Sequence, residues 1–124
     1  MAEDGAPVLT RWLAEMDGPT PRKVLEMLAD DFQISVVFST GPGGASDFSG
    51  DRAALEGYLD QREQGTRRHH IRLATSGASC ETVFGDVTRH GVFEATFLAA
   101  VQLDELGRVR RFFTGRTPTI EFPT

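Results

Sequence analysis

The chain has 124 residues, a net charge of −5, 40% apolar residues and a single cysteine. That length fits one domain, residues 1–124, which can bury about two thirds of its unfolded surface without metals or disulfides, and the apolar content argues against disorder. The acidic balance disfavours nonspecific nucleic-acid binding, the lone Cys80 excludes an internal disulfide and a cysteine zinc cluster, and the short apolar runs exclude a helical membrane span.

Residues 1–5 are acidic where a signal peptide is basic, so the expected location is cytoplasmic. Val8, Trp12, Leu13 and Met16 share one face of a helix over residues 8–16. The run from Asp17 to Pro21 breaks it, with Thr20 as N-cap and Pro21 at the first position of a second helix reaching about Asp30. Residues 32–38 alternate as a strand, Gly41 to Gly44 form a flexible turn, and Phe48 belongs to a short strand. Ser49 or Asp51 caps a third helix near 51–63, with Leu55, Tyr58 and Leu59 inward.

Beyond this point the chain reads as strands. His69, Ile71 and Leu73 alternate, Ser76-Gly77 is a two-residue turn, and residues 79–89 form a strand. His90-Gly91 is a second tight turn, 92–103 a strand, Asp104 to Gly107 a third hairpin loop, and 108–117 the last strand. The order predicts an α+β domain in which a curved antiparallel sheet wraps about three N-terminal helices. Basic residues cluster at 67–72 and 108–111, both in alternating segments, so their charges divide between two faces and read as solvated surface.

Three passages, from Arg11 to Phe32, from Phe48 to Leu59 and from Leu103 to Val109, resemble in order and spacing the nuclear transport factor two-like, or SnoaL-like, superfamily. The resemblance implies a cone: a bent sheet and helices enclosing one apolar pocket. The superfamily includes ketosteroid isomerases, dehydratases, polyketide cyclases, epoxide hydrolases and proteins with no known activity, so the fold alone does not give a function. Ketosteroid isomerase is the nearest catalytic template. Its hydrogen-bonding tyrosine falls on Trp12, its aspartate base on Val36 and the protonated aspartate of its oxyanion hole on Ala99. Those groups are missing, which excludes steroid enolisation by that apparatus. Relatives often open the strand after the third helix with arginine-histidine and follow it with a pocket asparagine; that asparagine position is Leu73 here.

Turn geometry predicts which side chains meet. With His90-Gly91 as the turn, Asp86 faces Ala95, Phe84 faces Phe97 and Thr82 faces Ala99 on an inward face, because directly paired residues share a face. With Ser76-Gly77 as the turn, Leu73 meets Cys80, His69 meets Phe84 and Arg67 meets Asp86. In the last hairpin Ala99 meets Phe112, Phe97 meets Thr114 and Ala95 meets Arg116. Asp86 then lies between Arg67 and Arg116, either as a structural ion pair at the rim of the cone or as a polar site in the pocket wall. A one-residue slip would move every one of these groups to the other face. His70 faces the outer surface, His90 is a turn residue, and Cys80 reads as a small core residue.

The predicted pocket is lined by Trp12, Val36, Phe38, Tyr58, Phe84, Phe97 and Phe112, with His69, Asp86 and Arg116 supplying polarity. Its expected occupant is an apolar or aromatic small molecule, with no metal and no cofactor. Two function classes fit: a noncatalytic small-molecule-binding domain, or a cofactor-free isomerase, dehydratase or cyclase using His69 and Asp86 as acid and base. A partner-binding module is a third. Leu98, Ala100, Val109 and Phe113 are expected on the outer sheet face, which suggests a homodimer; neither nucleic acid nor membrane is an expected partner.

Overall fold

The structure, a computed structural model, describes residues 5–41 and 44–123. The acidic start of the chain and the tip of the Gly41 to Gly44 turn lie outside the described residues. Helix α1 spans Pro7–Asp17, with Pro7 at its first turn and Leu9, Trp12, Leu13 and Met16 buried. Its N-cap residue, Ala6, has no side-chain acceptor. The acceptor comes from a distant strand: Glu81, 4% exposed, takes the Leu9 N–H at 2.8 Å and the Val8 N–H at 3.2 Å. A carboxylate among the free N–H groups of a helix N-terminus satisfies them and complements the helix dipole. Glu81→Ala should therefore cost about 2–3 kcal/mol in urea unfolding; a change within about 0.5 kcal/mol would show the contact to be incidental.

The second helix is shorter than expected. It is a 3-10 segment, Pro21–Met27, without a side-chain cap bond from Thr20. Strand pairing ends it, since Leu28 already pairs with Val109. Strand β1 runs Leu28–Gly41 and β2 runs Gly44–Gly50. Asp51 caps helix α2, Arg52–Gln61, by accepting from the N–H groups of Ala53 and Ala54. The remaining strands are β3 Arg67–Gly77, β4 Cys80–Arg89, β5 Val92–Leu103 and β6 Val109–Thr117.

These strands make one open sheet in the order β2-β1-β6-β5-β4-β3. It is antiparallel except where β1 runs parallel to β6. Three hairpins join β3 to β6, and β6 then closes on β1 in the same direction. The architecture is the expected α+β one, with a mixed sheet in place of a purely antiparallel one. Register shifts interrupt every pairing of neighbouring strands. Such bulges bend strands and increase twist, which is how a sheet of this length curls over α1 and α2.

The turns differ from expectation in two places, β3–β4 and β5–β6; in the latter a register shift between Gln102 and Leu103 pairs Phe97 with Arg116 and Ala99 with Thr114, in place of Thr114 and Phe112. His90 (φ 52°) and Gly91 (φ 79°) form the β4–β5 turn as predicted, and Gly107 (φ 79°) sits in the last loop. The β3–β4 turn is Ala78-Ser79, with φ of 51° and 66°, and Ser76 and Gly77 belong to β3. Two residues in the left-handed region match the twist that tight hairpins need. The shift moves the register by four residues, so Cys80 pairs with Gly77 and is exposed, not a core residue.

The concave face carries the core. Val83, Val87, Phe97, Ala99, Val101, Val109 and Phe112 pack against Leu9, Trp12, Leu55 and Leu59. Two corrections follow from the bulges. Leu73 is 58% exposed because β3 shifts register between Ile71 and Leu73. Val109 is fully buried because β6 shifts register between Val109 and Arg111, so it does not belong to the outer face.

Candidate functional site

The mouth of the cone encloses a cavity of about 70 Å³. Helix α1 supplies Trp12 and Met16, β1 supplies Val36 and Phe38, α2 supplies Tyr58, β5 supplies Phe97, and β6 supplies Phe112 and Arg116. Aromatic stacking shapes the wall: Trp12 lies on Phe112 at 4.5 Å between ring centroids, and Phe48 on Tyr58 at 4.7 Å. Arg116 spreads over the Phe38 ring, 4.1 Å from its centroid, a cation–π contact that gains from partial desolvation.

His69 points into this cavity, as its parity with Ile71 implied. Asp17, at the end of α1, holds it twice: one carboxylate oxygen accepts the His69 backbone N–H at 2.6 Å and the other lies 2.8 Å from Nδ1. The ring meets Phe97 edge-on at 5.1 Å. Beside it Arg62, whose side chain is 6% exposed, donates to the Met16 carbonyl at 2.8 Å and lies 4.0 Å from Asp17. Asp17 escaped the sequence reading because it stood in the helix-breaking run, far in the chain from the histidine it orients.

Asp86 does not reach the cavity. It sits on the outer face of β4, where the Arg72 guanidinium donates to it at 2.6 and 2.9 Å. Phe84 is also on that face, edge-on to Phe122 at 4.8 Å, and so does not line the pocket. The expected register holds only next to the turn. Arg89 pairs with Val92 and Thr88 with Phe93, but Val87 pairs with Ala95. Glu94 is the extra residue of a bulge, and beyond it every β4 side chain changes face. Glu81, Val83 and Val87 are the buried ones.

Glu94 therefore takes the place predicted for Asp86. Arg67 donates to it at 2.7 and 3.2 Å, and Arg116 at 3.1 Å. The Arg67 hydrogen bond and the nearby guanidinium charges of Arg116, Arg67 and Arg89 hold the Glu94 carboxyl below its ordinary range, against the opposing effect of burial. Burial pushes the Arg116 guanidinium down from the usual arginine range, and Glu94 opposes that shift. The partners expected for Asp86 were the right arginines; the carboxylate lies on the neighbouring strand.

Among the described residues no group of His, Cys, Asp and Glu side chains is arranged to hold a metal ion, and no described helix is long and apolar enough to cross a membrane. The outer face of the sheet holds an apolar groove formed by Val37, Phe84, Leu98, Phe113 and Phe122.

Neither family models nor curated protein sequences yield a match to this chain. Solved structures do. A candidate isomerase of the SnoaL-like family from Agrobacterium tumefaciens superposes with a TM-score of 0.67 at 11% identity, over 89% of this chain and 94% of that one. A protein of unknown function from Burkholderia xenovorans, of the nuclear transport factor two-like kind, gives 0.66 at 14% identity, over 94% and 85%. A de novo designed protein with a curved β-sheet gives 0.66 at 15% identity, over 88% and 81%. The chain thus has the cone fold of the nuclear transport factor two-like and SnoaL-like proteins. The fold by itself does not specify an activity.

Proposed function

We propose that this cone binds a small molecule in the cavity at its concave face. The observation that carries the reading is a set of oriented polar groups, His69, Arg62, Arg67 and Arg116, set among aromatic walls in one concavity. Ligand sites combine these two features. The size of the cavity, about 70 Å³, is well below the roughly 300–1,000 Å³ of sites for drug-sized ligands. A short-chain molecule therefore fits the space as it stands. A single ring fits once side chains at the mouth give way, since benzene takes a cavity of about 150 Å³, and a steroid does not fit. Trp12 is the only tryptophan and is 3% exposed, so intrinsic fluorescence reports on the cavity. Saturable change on adding benzamide or benzoate is the expected result; a merely linear response to both, up to their solubility, would overturn the reading.

A second reading is a cofactor-free isomerase, dehydratase or cyclase. The Asp17–His69 contact favours it. A carboxylate that accepts from Nδ1 fixes the tautomer and leaves Nε2 as an acceptor for a proton. In such a reaction one proton leaves the carbon next to a carbonyl for Nε2. The electron pair moves onto the carbonyl oxygen, whose charge the neighbouring guanidinium groups stabilise, and the proton returns from His69 to carbon or oxygen. Deuterium exchange at the carbons beside the carbonyl of cyclopentanone, followed by NMR, tests it. Acceleration lost in His69→Gln supports catalysis, while equal rates in both proteins leave the binding function alone.

We also propose that two copies associate through the outer sheet face, where Leu98 and Phe113 are each 48% exposed and Val37 is 43% exposed. Sedimentation equilibrium at micromolar concentration should give twice the chain mass, and Phe113→Glu should return the monomer. A monomer at every concentration would reject the assembly.

A further inference from the structure

Three guanidinium groups, those of Arg62, Arg67 and Arg116, line the cavity, and no carboxylate among the described residues lines it with them. The carboxylates that serve them stand behind the wall, and there are fewer of them. Glu94 is shared between Arg67 and Arg116, and Asp17 between His69 and, at 4.0 Å, Arg62. One cationic charge of the cluster is left without a counter-charge.

The hydrogen-bond donors give the same answer. A guanidinium has five N–H donors and no acceptor. Arg62 donates to the Met16 carbonyl at 2.8 Å and Arg116 to Glu94 at 3.1 Å, which leaves most of their donors unspent. Those donors are not sealed against protein: among the described residues the one fully buried side-chain polar atom without a partner is the Thr10 hydroxyl. Both arginine side chains line the cavity. Trp12, Phe97 and Phe112 form the apolar end of the same space.

From this geometry we infer that the ligand of the cavity is an anion: a small carboxylic acid or enolate whose charged oxygens meet Arg116 and Arg62 while its carbon body lies against Trp12 and Phe97. The inference rests on the binding reading above and names the class of ligand. A planar fork of N–H donors matches a carboxylate, and burial raises the value of each charge-assisted bond. The unspent charge also argues against an amine, which would add a cation to a wall already in excess.

Acid and amide pairs of equal shape test it: isobutyrate with isobutyramide, and benzoate with benzamide, titrated at low salt against Trp12 fluorescence. Each acid should bind about tenfold or more tightly than its amide, a preference set by charge-assisted hydrogen bonds. Arg116→Gln should remove that preference. Because this substitution also frees Glu94, its fold is checked by circular dichroism, and Arg62→Gln serves as a second variant. Arg110→Gln, on the surface against Asp31, should leave the preference intact. If the amides bind as well as the acids, the inference of an anionic ligand is wrong and the cavity remains a binding site. If none of the four compounds gives a saturable response, both fall. If Arg110→Gln removes the preference as fully as Arg116→Gln, the attraction belongs to the general surface field and the inference is again overturned.

Discussion

Replacing Gly85 by alanine should cost about 3 kcal/mol or more, a large share of the roughly 5–15 kcal/mol that holds an ordinary domain folded. A Cβ built there would stand 2.0 Å from the His70 carbonyl oxygen and 3.0 Å from the Phe97 ring. The first obstacle is backbone, at the point where β3 pairs Ile71 with Gly85 before its bulge. The second is the ring that forms one wall of the cavity. The carbonyl cannot yield without moving the strand that carries His69. Gly115→Ala is the control, since its nearest neighbour would be the Val37 carbonyl at 3.6 Å, an ordinary contact; about 1 kcal/mol or less is expected there. Urea unfolding of the two proteins decides the matter, and equal midpoints would mean that β3 and β4 are not packed as described.

Glu94→Gln should be the second large effect. It removes the charge that compensates Arg67 and Arg116, whose side chains are 18% and 19% exposed. Breaking one side of a fully buried ion pair costs about 3–5 kcal/mol; with the Glu94 side chain 24% exposed, about 2–3 kcal/mol is expected here. The pH dependence has a definite sign. The Glu94 carboxyl is depressed below its ordinary 4.5, so its stabilisation is fully present above that value and is lost as pH falls through the lower folded value. Wild-type thermal stability should decline on acidification below pH 4.5, and Glu94→Gln should decline less steeply over the same window. Asp86→Asn also breaks an ion pair, with Arg72, but on the outer face. It should lose stability without disturbing Trp12 fluorescence or ligand binding, whereas Glu94→Gln should disturb both.

The exchange of Asp86 for Glu94 shows what a sequence conveys and what it withholds. Element order, the turn at His90-Gly91 and the inward parity of Phe97, Phe112 and Arg116 all follow from local chemistry, as do the aromatic walls and His69. The bulge was also legible, though indirectly. Val83 and Val87 make the odd positions of β4 the apolar set, and Ala95, Phe97, Ala99 and Val101 do the same in β5. A two-residue turn at 90 and 91 pairs odd with even. Two odd apolar sets can share a face only if one extra residue intervenes, and Glu94 is the polar residue that interrupts the pattern. Choosing the β4 face by Phe84 alone gave its size more weight than the two valines. The Asp17–His69 contact had no such signal, because nothing local relates a residue in a helix-breaking run to a strand about fifty positions later. The same holds for Glu81, whose partner is a helix end in another part of the chain.

The most direct test of the central claim, that the concave cavity is the ligand site, is a crystal structure of the protein soaked with benzoate. The expected result is density for the ring between Trp12 and Phe97, with the carboxylate toward Arg116 and Arg62 and the Asp17–His69 contact kept. Benzoate bound only in the outer groove beside Phe84 and Phe122, with the cavity closed around its own side chains, would contradict the account.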